Sequence, residues 1–180
     1  MNNEPRRIRK PFRSYLLTLA TILVVLPALA GSAIAATYYV STTGDDSSTG
    51  LSETDAWATI DNGDQGSLLN PGDTVIVLAG TYDVSSGVSF ANCAGLNGNP
   101  ITYRAIGVVI ISSTATSVVT IGANYTVMDG FQITGGTNEI TVNNAVGCEI
   151  KNCWIYGPKG WGGAVAVNSA TSGLYAAVGA

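Results

Sequence analysis

The stretch Met128-Asp129-Gly130-Phe131-Gln132-Ile133-Thr134-Gly135 is echoed by Ile150-Lys151-Asn152-Cys153-Trp154-Ile155-Tyr156-Gly157, 22 residues later. Each copy has an apolar residue, a turn-forming step (Asp129-Gly130 or Lys151-Asn152), a second apolar residue five positions after the first, and a glycine two further on. A recurrence at this period marks one rung of a stacked solenoid, because a unit so small cannot bury its apolar face alone. Side chains alternate along a strand. Alignment on the repeat therefore points Met128/Ile150 and Ile133/Ile155 inward, puts Asp129/Lys151 on a turn, and turns Gln132/Trp154 outward.

Outward from this repeat, short strands and turns alternate. Thr74-Val75-Ile76-Val77-Leu78 is a continuous apolar run launched by the turn signal Asn70-Pro71-Gly72-Asp73. Val88 to Phe90, Ile101 to Ala105, Val108 to Ile111, Val118 to Ile121 and Tyr125 to Met128 follow as further short strands. Tyr103 to Tyr125 and Val118 to Ile140 are also 22 apart, and Ile140 to Val165 is 25. Each rung is thus expected to carry three short strands. Outside the N-terminal segment no window keeps a 3.6-residue period. Asn97-Gly98 is the one hairpin-type dipeptide between strands, and it sits inside a longer loop, which argues against a sandwich of hairpins. The expected class is all-β, a parallel β-helix with an N-terminal cap and about four rungs. Gly162 to Asn168 reads as the start of another rung, so the solenoid is expected to be incomplete at its C-terminal side.

Residues 1–35 read as a signal peptide. Arg6, Arg7, Arg9, Lys10 and Arg13 precede an apolar run from Tyr15 to Leu29, and Ala33-Ile34-Ala35 is a small-x-small cleavage site. The alternative is an uncleaved membrane anchor, for which Tyr15 to Ala36 is long enough. Cleavage would leave residues 36–180 as one secreted domain, off the membrane. That portion has three basic and eleven acidic residues, a net charge near −8, and no histidine. It lacks the clustered cations that a nucleic-acid surface needs. Cys93, Cys148 and Cys153 are an odd number. A Cys148–Cys153 bridge is one reading, and buried free thiols are the preferred one. There is no CxxC or Cys/His cluster for zinc.

Tyr38-Tyr39-Val40-Ser41, Gly44-Asp45-Asp46, Ala56-Trp57-Ala58-Thr59-Ile60, Pro71-Gly72-Asp73-Thr74-Val75 and Gly80-Thr81-Tyr82 follow one another in this order. Together they resemble the opening of secreted right-handed parallel β-helix proteins of the pectate-lyase-like superfamily. Asn97 to Thr102 and Tyr125 to Gly136 are similar to the segments that follow there. The resemblance spans about Tyr38 to Gly157. It departs at Ala56-Trp57-Ala58, where the family often has proline before the aromatic residue. It implies a right-handed coil and the N-terminal portion of a longer exported protein that is carbohydrate-active or polysaccharide-binding. The foremost activity it implies is a calcium-dependent lyase acting on acidic polysaccharide such as pectate, with the catalytic rungs expected beyond this chain. A non-catalytic surface or adhesin-type solenoid is the alternative, because the fold alone does not assign chemistry.

Uronate elimination needs a base for the proton α to a carboxylate and a cation to hold the developing charge. The basic residues available are Arg104, Lys151 and Lys159. Arg104 and Lys151 are expected at different rung positions. Asp129 aligns with Lys151, which gives two readings: a metal-binding aspartate beside a base, or a surface pair worth at most about 1 kcal/mol. The second is the simpler. Calcium is the one cofactor implied, with Asp129 as the candidate ligand. Asp45, Asp46, Asp55 and Asp61 can be read as a second calcium cluster or, more simply, as a solvated loop. For polysaccharide, the candidate contacts are Trp154, Tyr156, Trp161 and Lys151, with Trp57 as a further aromatic.

Overall fold

A computed structural model describes residues 34–156 and the strand backbones 165–168 and 175–178. The signal peptide (but for its last two residues), Lys159 and Trp161 lie outside the described residues. Strand β1 (Thr37–Val40) leads into a cap. β2 (Thr74–Asp83), β3 (Val88–Phe90), β4 (Ile101–Ser113), β5 (Ser117–Ile121), β6 (Thr126–Asp129), β7 (Gln132–Gly135), β8 (Asn138–Asn143) and β9 (Glu149–Tyr156) follow, then β10 (Val165–Asn168) and β11 (Tyr175–Val178). Every pairing between these strands is parallel, and partners are always separated by a full coil. The chain is a parallel β-helix, as the repeat predicts.

Three strips run along the solenoid. The first stacks β1, β2, the start of β4, β6 and the start of β9. The second stacks the ends of β2 and β4, then β7, then the end of β9. The third stacks β3, β5, β8 and β10. β2–β3, β4–β5 and β6–β8 are three successive turns, and β9 opens the next.

Parallel stacking places like over like. Val75, Tyr103, Met128 and Ile150 form one buried column, and Tyr82, Ile111, Ile133 and Ile155 another. Val88, Val119 and Ile140 line the third strip's interior beside Phe90, Ile121 and Val142. Phe90 stacks on Tyr103 across the core, with ring centroids 3.8 Å apart.

The register corrects two of the expected spacings. Tyr103 pairs with Met128 and not with Tyr125, and Ile140 pairs with Val119 and not with Val118. The cause of the first lies in β4. Arg104 pairs with Asp129, 25 residues on, but Ile110 pairs with Gln132, only 22 on. The three extra residues are absorbed at the corner between the first and second strips, where Ile106 and Val108 are exposed around Gly107. Gly130 and Asn152 turn the equivalent corner of the next coils with φ of 88° and 53°.

The cap is built on Trp57. Its ring is 1% exposed, stacks on Tyr38 with centroids 4.8 Å apart, and donates its indole N–H to the Ser48 carbonyl at 3.0 Å. Trp57 therefore serves the cap core and not a sugar platform. Two cap carboxylates tie the cap to its surroundings. Buried Asp64 accepts the N–H groups of Ala91, Asn92 and Cys93 at 2.8–3.3 Å. Buried Asp73 accepts those of Ala36 (2.7 Å) and Asn70 (2.8 Å).

All three cysteines are free and buried. Cys148 and Cys153 face different parts of the interior, toward the carbonyls of Ala123 and Met128. Burial pushes all three thiols up from their ordinary value of 9.0. It pushes the Tyr82 phenol up to about 12 and the Tyr103 phenol well above 10.0.

This packing makes three predictions. A Cβ at Gly50, whose φ is 74°, would lie 2.5 Å from the Trp57 ring. Gly50→Ala should cost about 1–3 kcal/mol in urea unfolding, and an unchanged midpoint would disprove the tight seat. The second concerns pH. A group with a raised folded pKa holds more protons folded than unfolded, so its stabilisation is complete below the unfolded pKa and lost as pH rises. Stability should be flat through neutrality and fall from about pH 9 upward as thiols and then phenols titrate. Thiol reagents should label the cysteines only after denaturation.

Candidate functional site

The outer faces of the first two strips carry the side chains singled out in the sequence. Trp154 stands on the second strip, in a column that runs Thr81, Ile110, Gln132, Trp154. Alternation places it opposite the buried Ile155, and its side chain is 56% exposed. Two residues along each strand lies a second outward column, Asp83, Ser112, Thr134, Tyr156. Gln132, Trp154 and Tyr156 line one open hollow. Asp83, Val84, Ser85, Ser112, Ser113 and Thr114 line another on the same side. The structure thus brings Trp154 and Tyr156 together and adds Gln132, Thr134 and Ser112.

The charged residues lie across the corner, on the first strip. Arg104, Asp129 and Lys151 are register partners in successive coils. Arg104 and Lys151 therefore share one column with Asp129 between them, where the sequence reading put them at different rung positions. The displaced spacing within β4 explains the difference.

Within that column the ion pairing is also different. Asp129 Oδ2 lies 3.4 Å from Arg104 Nε, and Asp129 Oδ1 accepts a hydrogen bond from Asn152 Nδ2 at 2.7 Å. Lys151 Nζ turns instead to Glu149 Oε2 at 3.3 Å. Glu149 and Lys151 are two apart on one strand and so share its outer face. That alternation was the signal in the sequence that identifies Glu149. The same rule puts Arg104 outward between the buried Tyr103 and the corner.

Both oxygens of Asp129 are thus engaged by side chains of this chain. Among the described residues no group of three or more His, Cys, Asp or Glu side chains converges as a metal site. The cap carboxylates are occupied similarly. Asp46 accepts the N–H groups of Ala58 (2.8 Å) and Thr59 (2.9 Å) and the Thr59 hydroxyl (2.9 Å). Asp61 accepts Ser89 N–H at 2.9 Å. Asp45 accepts the Ser47 N–H and hydroxyl, and Asp55 those of Thr49. These hydrogen bonds hold the carboxyls of Asp45 and Asp55 below the ordinary 3.8. They close local turns and pin loop to cap.

No protein-family model matches the chain, and no curated protein matches it. Among solved structures, the crystal structure of pectate lyase Pel9A superposes with a TM-score of 0.65 at 19% identity, over 80% of this chain and 38% of that one. A GH136 lacto-N-biosidase from Eubacterium ramulus gives 0.52 at 15% identity, over 89% of this chain and 32% of that one. The chain spans well under half the length of either protein. These likenesses place the fold, and the first agrees with the right-handed coil expected from the sequence.

The charged column tests as a surface network. Arg104 is half exposed, so water screens its pairing with Asp129. Asp129→Ala should lower the unfolding free energy by no more than about 1 kcal/mol. A loss of several in denaturant titration would instead make Asp129 a structural pin.

Proposed function

We propose that this chain is the polysaccharide-binding portion of an exported, carbohydrate-active β-helix protein. The observation that carries this reading is Trp154, a ring open to solvent on the second strip, lining a hollow with Tyr156 and Gln132. A large aromatic ring exposed on a rigid strand offers an apolar face to sugar rings, whose own faces are apolar, while neighbouring amides and hydroxyls meet the sugar edges. Export is supported by the basic and apolar segment at the start of the chain, and the names of the two superposing proteins fit a carbohydrate ligand.

A second reading is favoured by the Arg104–Asp129–Lys151 column. In a longer protein of this fold, Lys151 or Arg104 would take the proton α to a uronate carboxylate, in a calcium-dependent lyase acting on pectate-type polysaccharide. Asp129 would be one ligand of that calcium only by giving up its contacts with Arg104 and Asn152, and would need carboxylates that the described residues do not supply. A non-catalytic surface solenoid needs only the strip and the cap.

Affinity electrophoresis through gels containing soluble polysaccharides tests the primary reading. The chain should be retarded by at least one of them, and Trp154→Ala should run unretarded. Equal retardation of both would move the binding surface off this strip. Unsaturated-uronide absorbance on polygalacturonate, with and without calcium, tests the second. A calcium-dependent signal lost in Lys151→Ala or Arg104→Ala would support the lyase, and its absence would restrict the chain to binding.

A further inference from the structure

The two outward columns of the second strip repeat along the solenoid axis. Ile110, Gln132 and Trp154 are stacked one coil apart, and so are Ser112, Thr134 and Tyr156. The coil spacing is about 4.8 Å and the columns stand roughly 6.6 Å apart along the strands. A ligand that follows the repeat must therefore lie along the axis, meeting one equivalent position per coil. An extended chain of pyranose rings repeats on the same order of length.

The chemistry of the strip is uncharged over most of its length. The described residues lining its two hollows bear no charge at neutral pH except Asp83, at the end nearer the cap. Among the described residues the cations Arg104 and Lys151 lie across the corner on the first strip, each beside a carboxylate. The Gln132 amide and the Ser112 and Thr134 hydroxyls make no hydrogen bond to any described residue, and so stand ready for a ligand. On the third strip, by contrast, the Ser117 and Thr141 hydroxyls bond to each other at 2.7 Å.

We infer that this strip selects an uncharged polysaccharide laid along the solenoid axis, one sugar per coil. One ring stacks on Trp154, and Gln132, Thr134 and Ser112 hydrogen-bond the hydroxyls of the sugars toward the cap. A uronate chain brings a carboxylate with every sugar. Among the described residues of this strip no cation is placed to meet those carboxylates, and the one nearest the cap would face Asp83. This inference rests on the polysaccharide-binding reading above and names its substrate class.

Calorimetric titration of the full chain with cellohexaose, xylohexaose, mannohexaose and hexagalacturonate tests it. At least one uncharged hexasaccharide should bind roughly tenfold tighter than hexagalacturonate, a gap of about 1.4 kcal/mol. That affinity should change little with added salt, since no ion pair forms. It should be lost in Trp154→Ala and partly kept in Trp154→Phe. Gln132→Lys should shift preference toward hexagalacturonate and make binding salt-sensitive. Preferential, Trp154-dependent binding of hexagalacturonate would overturn the uncharged class and leave the polysaccharide reading standing. Binding of none of the four would overturn both. Uncharged binding that Trp154→Ala leaves intact would overturn the strip as its site.

Discussion

In-register parallel pairing is the constraint on which everything else in this molecule depends. The strands of each coil pair their backbone with the coils above and below. A residue therefore inherits its environment from its register partners. An inward position must be apolar in every coil, because a polar group there would lose water without gaining a partner. The Tyr82–Ile111–Ile133–Ile155 column obeys this. Where a polar side chain does point inward it needs a partner: the Tyr82 hydroxyl donates to the Leu78 carbonyl at 2.9 Å, whereas Tyr103 stacks on Phe90 and its hydroxyl has no hydrogen-bond partner among the described residues.

The same constraint makes the first coil vulnerable, since its upper edge would expose unpaired N–H and C=O groups. The cap answers with β1 on the first strip and with carboxylates elsewhere. Asp64 does for the Ala91–Cys93 backbone what another strand would do, accepting three N–H groups on one side chain. Trp57 fills the space behind it, close against Gly50 and Gly63.

What was legible in the sequence follows from where the period is constant. Between β7 and β9 the coil is 22 residues, so Ile133 over Ile155 and Gln132 over Trp154 could be read directly. The Arg104 column was hidden because β4 carries three more residues at its corner, and a fixed period then puts Tyr103 over the wrong partner. Asp64 gave no local sign at all. Its partners lie some 27 residues away and are main-chain groups, which no residue pattern reports. The repeat turns Trp154 outward, but Trp57 lies outside the repeat, and its place in the cap core is set by packing against Gly50 and Gly63 that no period reports.

The corner at Ile106-Gly107-Val108 has a broader meaning. It works as a phase reset. Extra residues enter the coil there without rotating either flanking strip, because they are spent in the turn before the alternation resumes. The two strips are thereby decoupled in sequence: insertion or loss at the corner leaves the Arg104 column and the Trp154 column each in frame. A solenoid with such joints can vary a charged stripe and an uncharged stripe independently, coil by coil. Its relatives would then be found by matching strips, each with its own local period, and missed by any search that demands one period for the whole coil.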